Sequence, residues 1–332
     1  MTARALRHLL AGLLLVGCRH TYQQTVEPTD EQKVELYTTT ATFLYEDDEL
    51  ERAQEQAVKA LEIDPEHRAM RRMVGWIRLR LGKNEDLIIA ERFFDDLVEE
   101  GDDNENTHLG LALTCERLGR AYDEVAAAIA RGERPVEEGK DAEAEQQRLA
   151  GLATQYWNRS LEILEGQLKN GEGSTNAMNA LQRVHALAGH YEESLGWSDR
   201  LLARTGEELE GWRRMLQEKN LTESEEQLFR ENERAAVNLQ MDTHLFAATL
   251  LFRLQRYSEA LPHLDAAVEL SPELPQAYSL RGQVRSRVGA YEGAIEDLDR
   301  YLALSDKPYE NPDILRAFEL RAQCQEHLGD TK

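Results

Sequence analysis

An internal repeat constrains the fold of this chain more than any other feature. From Met241 the sequence reads MDTHLFAATLLFRLQRYSEALPHLDAAVELSPEL, and from Pro275 it reads PQAYSLRGQVRSRVGAYEGAIEDLDRYLALSDKP, a period of about 34 residues. Ala248 and Gly282 fall in register, as do Tyr257 and Tyr291, Ala260 and Ala294, and Leu264 and Leu298. Within each copy, apolar residues recur at the i, i+3, i+4, i+7 spacing of an amphipathic helix. Each copy therefore predicts two helices joined by a tight turn. Ala248, Gly282 and Ala260 let two helices approach closely, Tyr257 and Tyr291 plug the gap at the turn, and Pro272 stops the second helix. A unit this small cannot bury its apolar face alone, so its copies must stack.

Weaker copies lie upstream. Residues 34–67 carry Ala41, Ala53, Ala57 and Ala60 and end Ala60-Leu61-Glu62-Ile63-Asp64-Pro65. Residues 68–101 carry Gly75 and a turn glycine, Gly82. Residues 105–134 carry Ala112 and Gly119, with a second helix expected to end at Gly132; residues 175–208 carry Gly189, Tyr191, Ser194 and Leu201. With 241–274 and 275–308 these make six units, and 314–332 reads as a single capping helix ending at Gly329. The pattern of a small residue in the first helix, an aromatic after the turn, an alanine opening the second helix and a closing proline resembles the tetratricopeptide repeat. That resemblance implies an all-α fold over 31–332, a right-handed superhelical stack (an α-solenoid) with a concave face lined by first helices. Only 8 prolines and few β-branched runs agree with a helical chain.

Two stretches break the period. Residues 132–174 hold a polar loop with Pro135 and a helix expected from about Asp141 to Leu168. Residues 207–240 hold a helix around Trp212 and Leu216, then a longer one from about Thr222. They either pair as extra helices within the stack or mark a hinge between two repeat blocks.

In the repeat register the inward positions of the first helices include Arg72, Trp76, Arg80, Leu113, Arg117, Asn179, Arg183, Phe252, Arg253, Gln283 and Arg287. Arginine grips carboxylates through paired hydrogen bonds and aromatics supply anchoring area, so this row could hold an acidic or C-terminal segment of another protein. The same arginines could instead pair with carboxylates of neighbouring repeats. The lysine–asparagine clamp by which some tetratricopeptide domains hold a terminal carboxylate is not reproduced, since Leu245 and Thr249 stand where it would start.

The N-terminus supplies an address. Arg4 and Arg7 precede an apolar run, Leu9 to Val16, too short to span a bilayer and followed at once by polar residues. The run ends Leu15-Val16-Gly17-Cys18, which resembles a bacterial lipobox. The resemblance implies a signal peptide at 1–17, lipid on Cys18, a tether at 18–30, and attachment to the cell envelope. Arg19 at the sorting position favours the periplasmic face of the outer membrane in a two-membrane cell.

A formal net charge of −23 argues against nucleic acid as a partner, because phosphate binding needs a basic footprint. Cys115 and Cys324 sit inside apolar helical patterns and read as small core residues. No metal-ligand spacing, G-x-S-x-G, P-loop or G-x-G-x-x-G is present, and the spacing of His185 and His190 does not place them on one helix face. The expectation is a non-enzymatic scaffold without metal or cofactor, recruiting another envelope protein through its concave surface. Repeat lipoproteins that assist pilus assembly or dock peptidoglycan enzymes have the same general plan. The alternative is a ligand-binding or sensor module for a cell-wall fragment or small molecule, with Trp76 and Phe252 as its aromatic candidates.

Overall fold

The computed structural model describes residues 27–139, 141–168, 173–218, 220–306 and 311–329; the signal-like segment, Cys18 and most of the tether lie outside them. Among the described residues there are thirteen α-helices and no strand. The chain divides into two compact units, Met1–Ile77 and Arg78–Lys332, with the boundary inside one helix.

In the first unit, α1 (Asp30–Glu46) and α2 (Leu50–Ile63) form a hairpin, and α3 (Arg68–Leu81) follows Pro65. Thr29 and Gln32 close a reciprocal capping box at the start of α1, which satisfies two backbone N–H groups that the helix itself leaves open. Ala41, Ala53, Ala57 and Ala60 are all fully buried. Side chains this small bring the helices together, as the register requires.

The second unit continues with α4 (Asn84–Glu99), α5 (Glu105–Ala130), α6 (Ala142–Leu168), α7 (Thr175–Leu187), α8 (Tyr191–Met215), α9 (Glu223–Arg253), α10 (Tyr257–Leu270), α11 (Pro275–Arg287), α12 (Tyr291–Leu304) and α13 (Pro312–Gly329). From α4 onward each helix packs on the next, and α5 also touches α7, α9 touches α11, and α11 touches α13. This is the contact pattern of stacked helical hairpins.

One turn recurs where a helix hands over to the next. After α1, α7, α9 and α11 the chain places one residue at positive φ: Asp48, Gly189, Gln255 and Gly289. The following N–H then bonds back across the turn, Glu49 to Leu44 O at 2.8 Å, His190 to His185 O at 2.8 Å, Arg256 to Leu251 O at 2.9 Å and Ala290 to Arg285 O at 2.8 Å. These are Schellman closures, which satisfy the last carbonyls of the first helix while aiming the chain into the second.

Of the two irregular stretches, 132–174 holds the expected helix, Ala142–Leu168, paired within the stack, whereas the third repeat expected over 105–134 and the separate helix expected around Trp212 are not formed. Glu105–Ala130 is one continuous helix, with no turn at Gly119. Gly110 and Gly119 sit mid-helix because large rings press on the backbone there: an added Cβ would come 2.4 Å from the Phe94 ring and 2.4 Å from the Trp157 indole nitrogen. Gly132 does end a helix, at a φ of +72°. That helix is α5, whose own partner is α6, so 105–168 is a single enlarged hairpin. Likewise, 207–240 adds no separate helix. It lengthens α8 to Met215 and starts α9 at Glu223, capped by Thr222 and Glu225. The extensions form an antiparallel arm in which Trp212 and Phe229 meet at 5.8 Å between ring centres and Arg213 reaches Glu233 at 3.0 Å.

Candidate functional site

The inward positions separate into engaged and exposed side chains. Arg72 and Trp76 lie on α3 in the first unit, half-buried and engaged in contacts. Arg80 ends the same helix, in the second unit. Arg117 donates to the carbonyl of Leu79, capping the last turn of α3. Arg183 on α7 bonds both oxygens of Glu116 on α5, at 3.1 and 2.7 Å, and also reaches the Asn179 carbonyl at 3.3 Å. Glu116 is only 4% exposed and takes a further bond from Arg120 at 2.9 Å. A carboxylate buried without such partners would carry a desolvation penalty of several kcal/mol. Arg183 therefore holds repeats together, and Asn179 is turned toward Gln182 at 2.8 Å.

Phe252 packs in the core beside Ala248, Leu251, Leu264 and Val284, tilted against Tyr257 at 5.5 Å. Leu113 is half-buried in α5. Arg253 and Arg287 are exposed in the last turns of α9 and α11.

A cleft of about 470 Å³ opens on the first-helix face of α9, α11 and α13. Gln283, an inward position, lines it with Leu245 and Thr249. Leu280 and Leu320 supply aliphatic walls, Leu298 and Tyr301 of α12 form the base, and Asp306, Asp313 and Arg316 charge the rim. The Thr249 hydroxyl donates to Leu245 O at 2.7 Å, and Gln283 Nε2 donates to Ser279 O at 3.3 Å, leaving the Gln283 carbonyl oxygen as an acceptor. Such a cleft offers amide and hydroxyl groups to a peptide backbone, leucines to apolar side chains, and a guanidinium to a carboxylate. The periodicity could not reveal the contribution of α13, because residues 305–311 interrupt the register before it.

Histidines meet in two places that the sequence separates. The turn at Gly189 brings His185 and His190 to 5.7 Å between ring centres. His185 is 5% exposed, neither ring nitrogen has a hydrogen-bond partner, and Glu165 stands 3.6 Å away. Burial pushes its pKa down. His244 on α9 and His263 on α10 face each other Nδ1 to Nδ1 at 3.0 Å. Their ring centres are 5.2 Å apart, and a hydrogen bond between the two nitrogens requires one Nδ1 to carry a proton and the other to be bare. Burial first, then the neighbouring His263, lowers His244 from 6.5 to about 4. Among the described residues no three His, Cys, Asp or Glu side chains converge as a metal site. Cys115 and Cys324 are both buried free thiols, as their helical setting predicts. Burial pushes Cys115 up to about 12, which removes its nucleophilicity at neutral pH.

Comparison with protein families agrees with the repeat register over its C-terminal copies. Residues 247–308 match the family described as Tetratricopeptide repeat. U-box domain-containing protein 70 of Oryza sativa subsp. japonica is 29% identical over 154 residues, 46% of this chain. The chain spans only 16% of that protein's length. Among solved structures, a tetratricopeptide repeat protein from Parabacteroides merdae is 16% identical, covering 88% of this chain and 99% of its own, with a TM-score of 0.37. A tetratricopeptide protein of Thermus thermophilus is 13% identical, covering 90% and 99%, with a TM-score of 0.28.

Proposed function

We propose that this tetratricopeptide-repeat protein is a non-catalytic adaptor, lipid-anchored to a bacterial envelope through Cys18, that holds another envelope protein in the cleft between α9, α11 and α13. The cleft is the observation that carries the reading. Its mixture of leucines, amides, hydroxyls and one arginine suits an extended polypeptide, in which backbone groups need partners as much as side chains need burial. The lipobox-like Leu15-Val16-Gly17-Cys18 supports the anchor. Two or more acyl chains would hold the protein durably where one would not. Arg19 supports the periplasmic face of the outer membrane in a two-membrane host.

A photo-crosslinking residue at Gln283 in living cells tests the cleft. The expected outcome is one discrete crosslinked envelope protein, lost in Leu280→Arg while the circular dichroism is unchanged. Crosslinking that survives Leu280→Arg overturns the assignment of this cleft. For the anchor, Cys18→Ala is expected to move the chain from the membrane to the soluble fraction with its helix content intact; retention in the membrane fraction refutes lipidation.

A further inference from the structure

The enlarged hairpin of 105–168 borders a second cavity, of about 370 Å³, at its loop end. Its walls come from α4, the C-terminal half of α5, the start of α6 and the loop 134–137. On α5 the lining residues Leu118, Tyr122, Val125 and Ile129 recur at helical spacing, so one continuous stripe faces the cavity. Ile88 of α4, Leu149 of α6 and Val136 of the loop complete an aliphatic interior. Ile88 lines this interior and is still 50% exposed, so the stripe is not closed by packing as it is within a tight hairpin.

The walls are tied together from outside the cavity. Arg159 of α6 bonds Glu91 at 2.8 Å and also bonds Asp95, both on α4, and the Tyr156 hydroxyl donates to Glu91 at 3.3 Å. Tyr156 in turn stacks on Tyr122, which lines the cavity, at 5.6 Å between ring centres. These contacts fix α4 and α6 on either side of Tyr122. An occupant therefore meets a preformed site, which lowers the cost of binding.

The polar groups at the cavity are few and of one kind. Glu145 is held by Arg148 at 2.9 and 2.7 Å, and Glu137 has a contact of its own. The Asn84 amide, the Tyr122 hydroxyl and the Arg134 guanidinium have no hydrogen bond or ion pair among the described residues. All three can donate, and the last carries a full positive charge. Arg131 takes Glu133 at 2.8 Å, so Arg134 is left without a carboxylate in a chain of net charge −23. The cleft between α9, α11 and α13 offers amides and hydroxyls along its length to a peptide backbone. This cavity does not, and a polypeptide buried in it would leave backbone groups without partners.

We propose that the cavity between α4, α5 and α6 binds a small amphiphilic carboxylate, with an aliphatic chain against Leu118, Val125, Ile129 and Leu149 and the head group at Arg134. The volume sets the chain length. At ~30 Å³ for each water-sized group, the cavity holds roughly a dozen non-hydrogen atoms. The site is separate from the cleft and does not depend on the adaptor reading.

The probe is sodium decanoate, titrated into the full chain by isothermal calorimetry. Saturable binding to one site is expected. Octanoate should bind about tenfold more weakly, the loss for two methylene groups, whereas tetradecanoate should gain nothing over decanoate because the cavity is already full. Ile88→Asp and Val136→Asp, at positions exposed enough to accept a polar side chain, should each weaken decanoate at least about tenfold with unchanged circular dichroism. Arg134→Gln should weaken decanoate about fivefold and leave 1-decanol unaffected, which reads the charge separately from the chain. Leu280→Arg, in the cleft, should change nothing here, so failure of this site and failure of the adaptor reading are separate results. No saturation below about 1 mM, affinity that keeps rising with chain length, or binding indifferent to both Ile88→Asp and Val136→Asp overturns the proposal. So does a carboxylate that binds no better than its alcohol.

Discussion

Gln255 occupies the αL position of a Schellman turn that Gly189 and Gly289 fill elsewhere in the chain. A side chain at φ +60° brings Cβ against the following carbonyl, at a cost of about 1–2 kcal/mol that glycine avoids, partly offset by glycine's larger unfolded-state entropy. Gln255→Gly is therefore expected to stabilise the second unit by about 0.5–1 kcal/mol, and Gly289→Ala to destabilise it by about 1 kcal/mol, both read from urea midpoints. Arg183 and Glu116 support a second prediction. Arg183→Ala leaves a buried carboxylate with only the half-exposed Arg120, which should cost about 2 kcal/mol in urea denaturation. The double change with Glu116→Gln should cost less than the sum of the singles, because the uncompensated charge is then gone. Repeat register alone put Arg183 on the inner face. Its partner, 67 residues away, was not legible, since nothing in a helical period says which carboxylate a neighbouring helix will present.

At the scale of elements, the His244–His263 pair joins α9 to α10, and Asp199 of α8 is the charged group that acts on it from the next helix. The folded-state pKa of His244 is depressed, so below its unfolded value of 6.5 the unfolded chain binds the extra proton. Stability from this group is complete above pH 6.5 and is lost as pH falls toward about 4. Urea midpoints measured between pH 7 and 4 should fall across that window, and the slope should flatten in His244→Phe. A midpoint that stays level in the wild type would contradict a buried neutral pair.

The α8–α9 arm behaves as an element of its own. Beyond Leu209 and Ala236 it is fastened mainly by the Trp212–Phe229 ring pair and the Arg213–Glu233 bridge, and Leu228 is 53% exposed. Few buried contacts mean low local stability. Trp212→Ala should speed amide hydrogen exchange through 212–233 while exchange in α11 and α12 stays unchanged. Thr222 could be read as the start of α9 because a Thr-x-x-Glu capping box is a local signal. That the helix would run on without a break to Arg253 could not be read, since an amphipathic pattern looks the same in one long helix and in two short ones.

For the whole molecule, the formal charge of −23 sets a self-repulsion that folding must overcome. The buried ion pairs at Glu116 and Asp297 are screened much less by salt than the exposed carboxylates are. Raising NaCl from about 10 mM to about 200 mM, which shortens the Debye length from about 30 Å to below 10 Å, should therefore raise the thermal midpoint. A midpoint that falls with salt would mean that surface ion pairs outweigh the net repulsion.

The order of residues alone displays the helical class, the two-helix repeat of 241–308, the alanine seam of α1 and α2, and the helix start at Thr222. All of these rest on interactions within a few residues or within one period, which the order of residues displays directly. Tertiary structure alone decided that 105–168 is one long hairpin and that Gly119 serves Trp157 rather than a turn. It also decided that Arg183 closes on Glu116, and that α13 completes the cleft. Each of these depends on which helix comes to lie beside which, and a periodic pattern gives every helix the same apolar face without saying what will cover it.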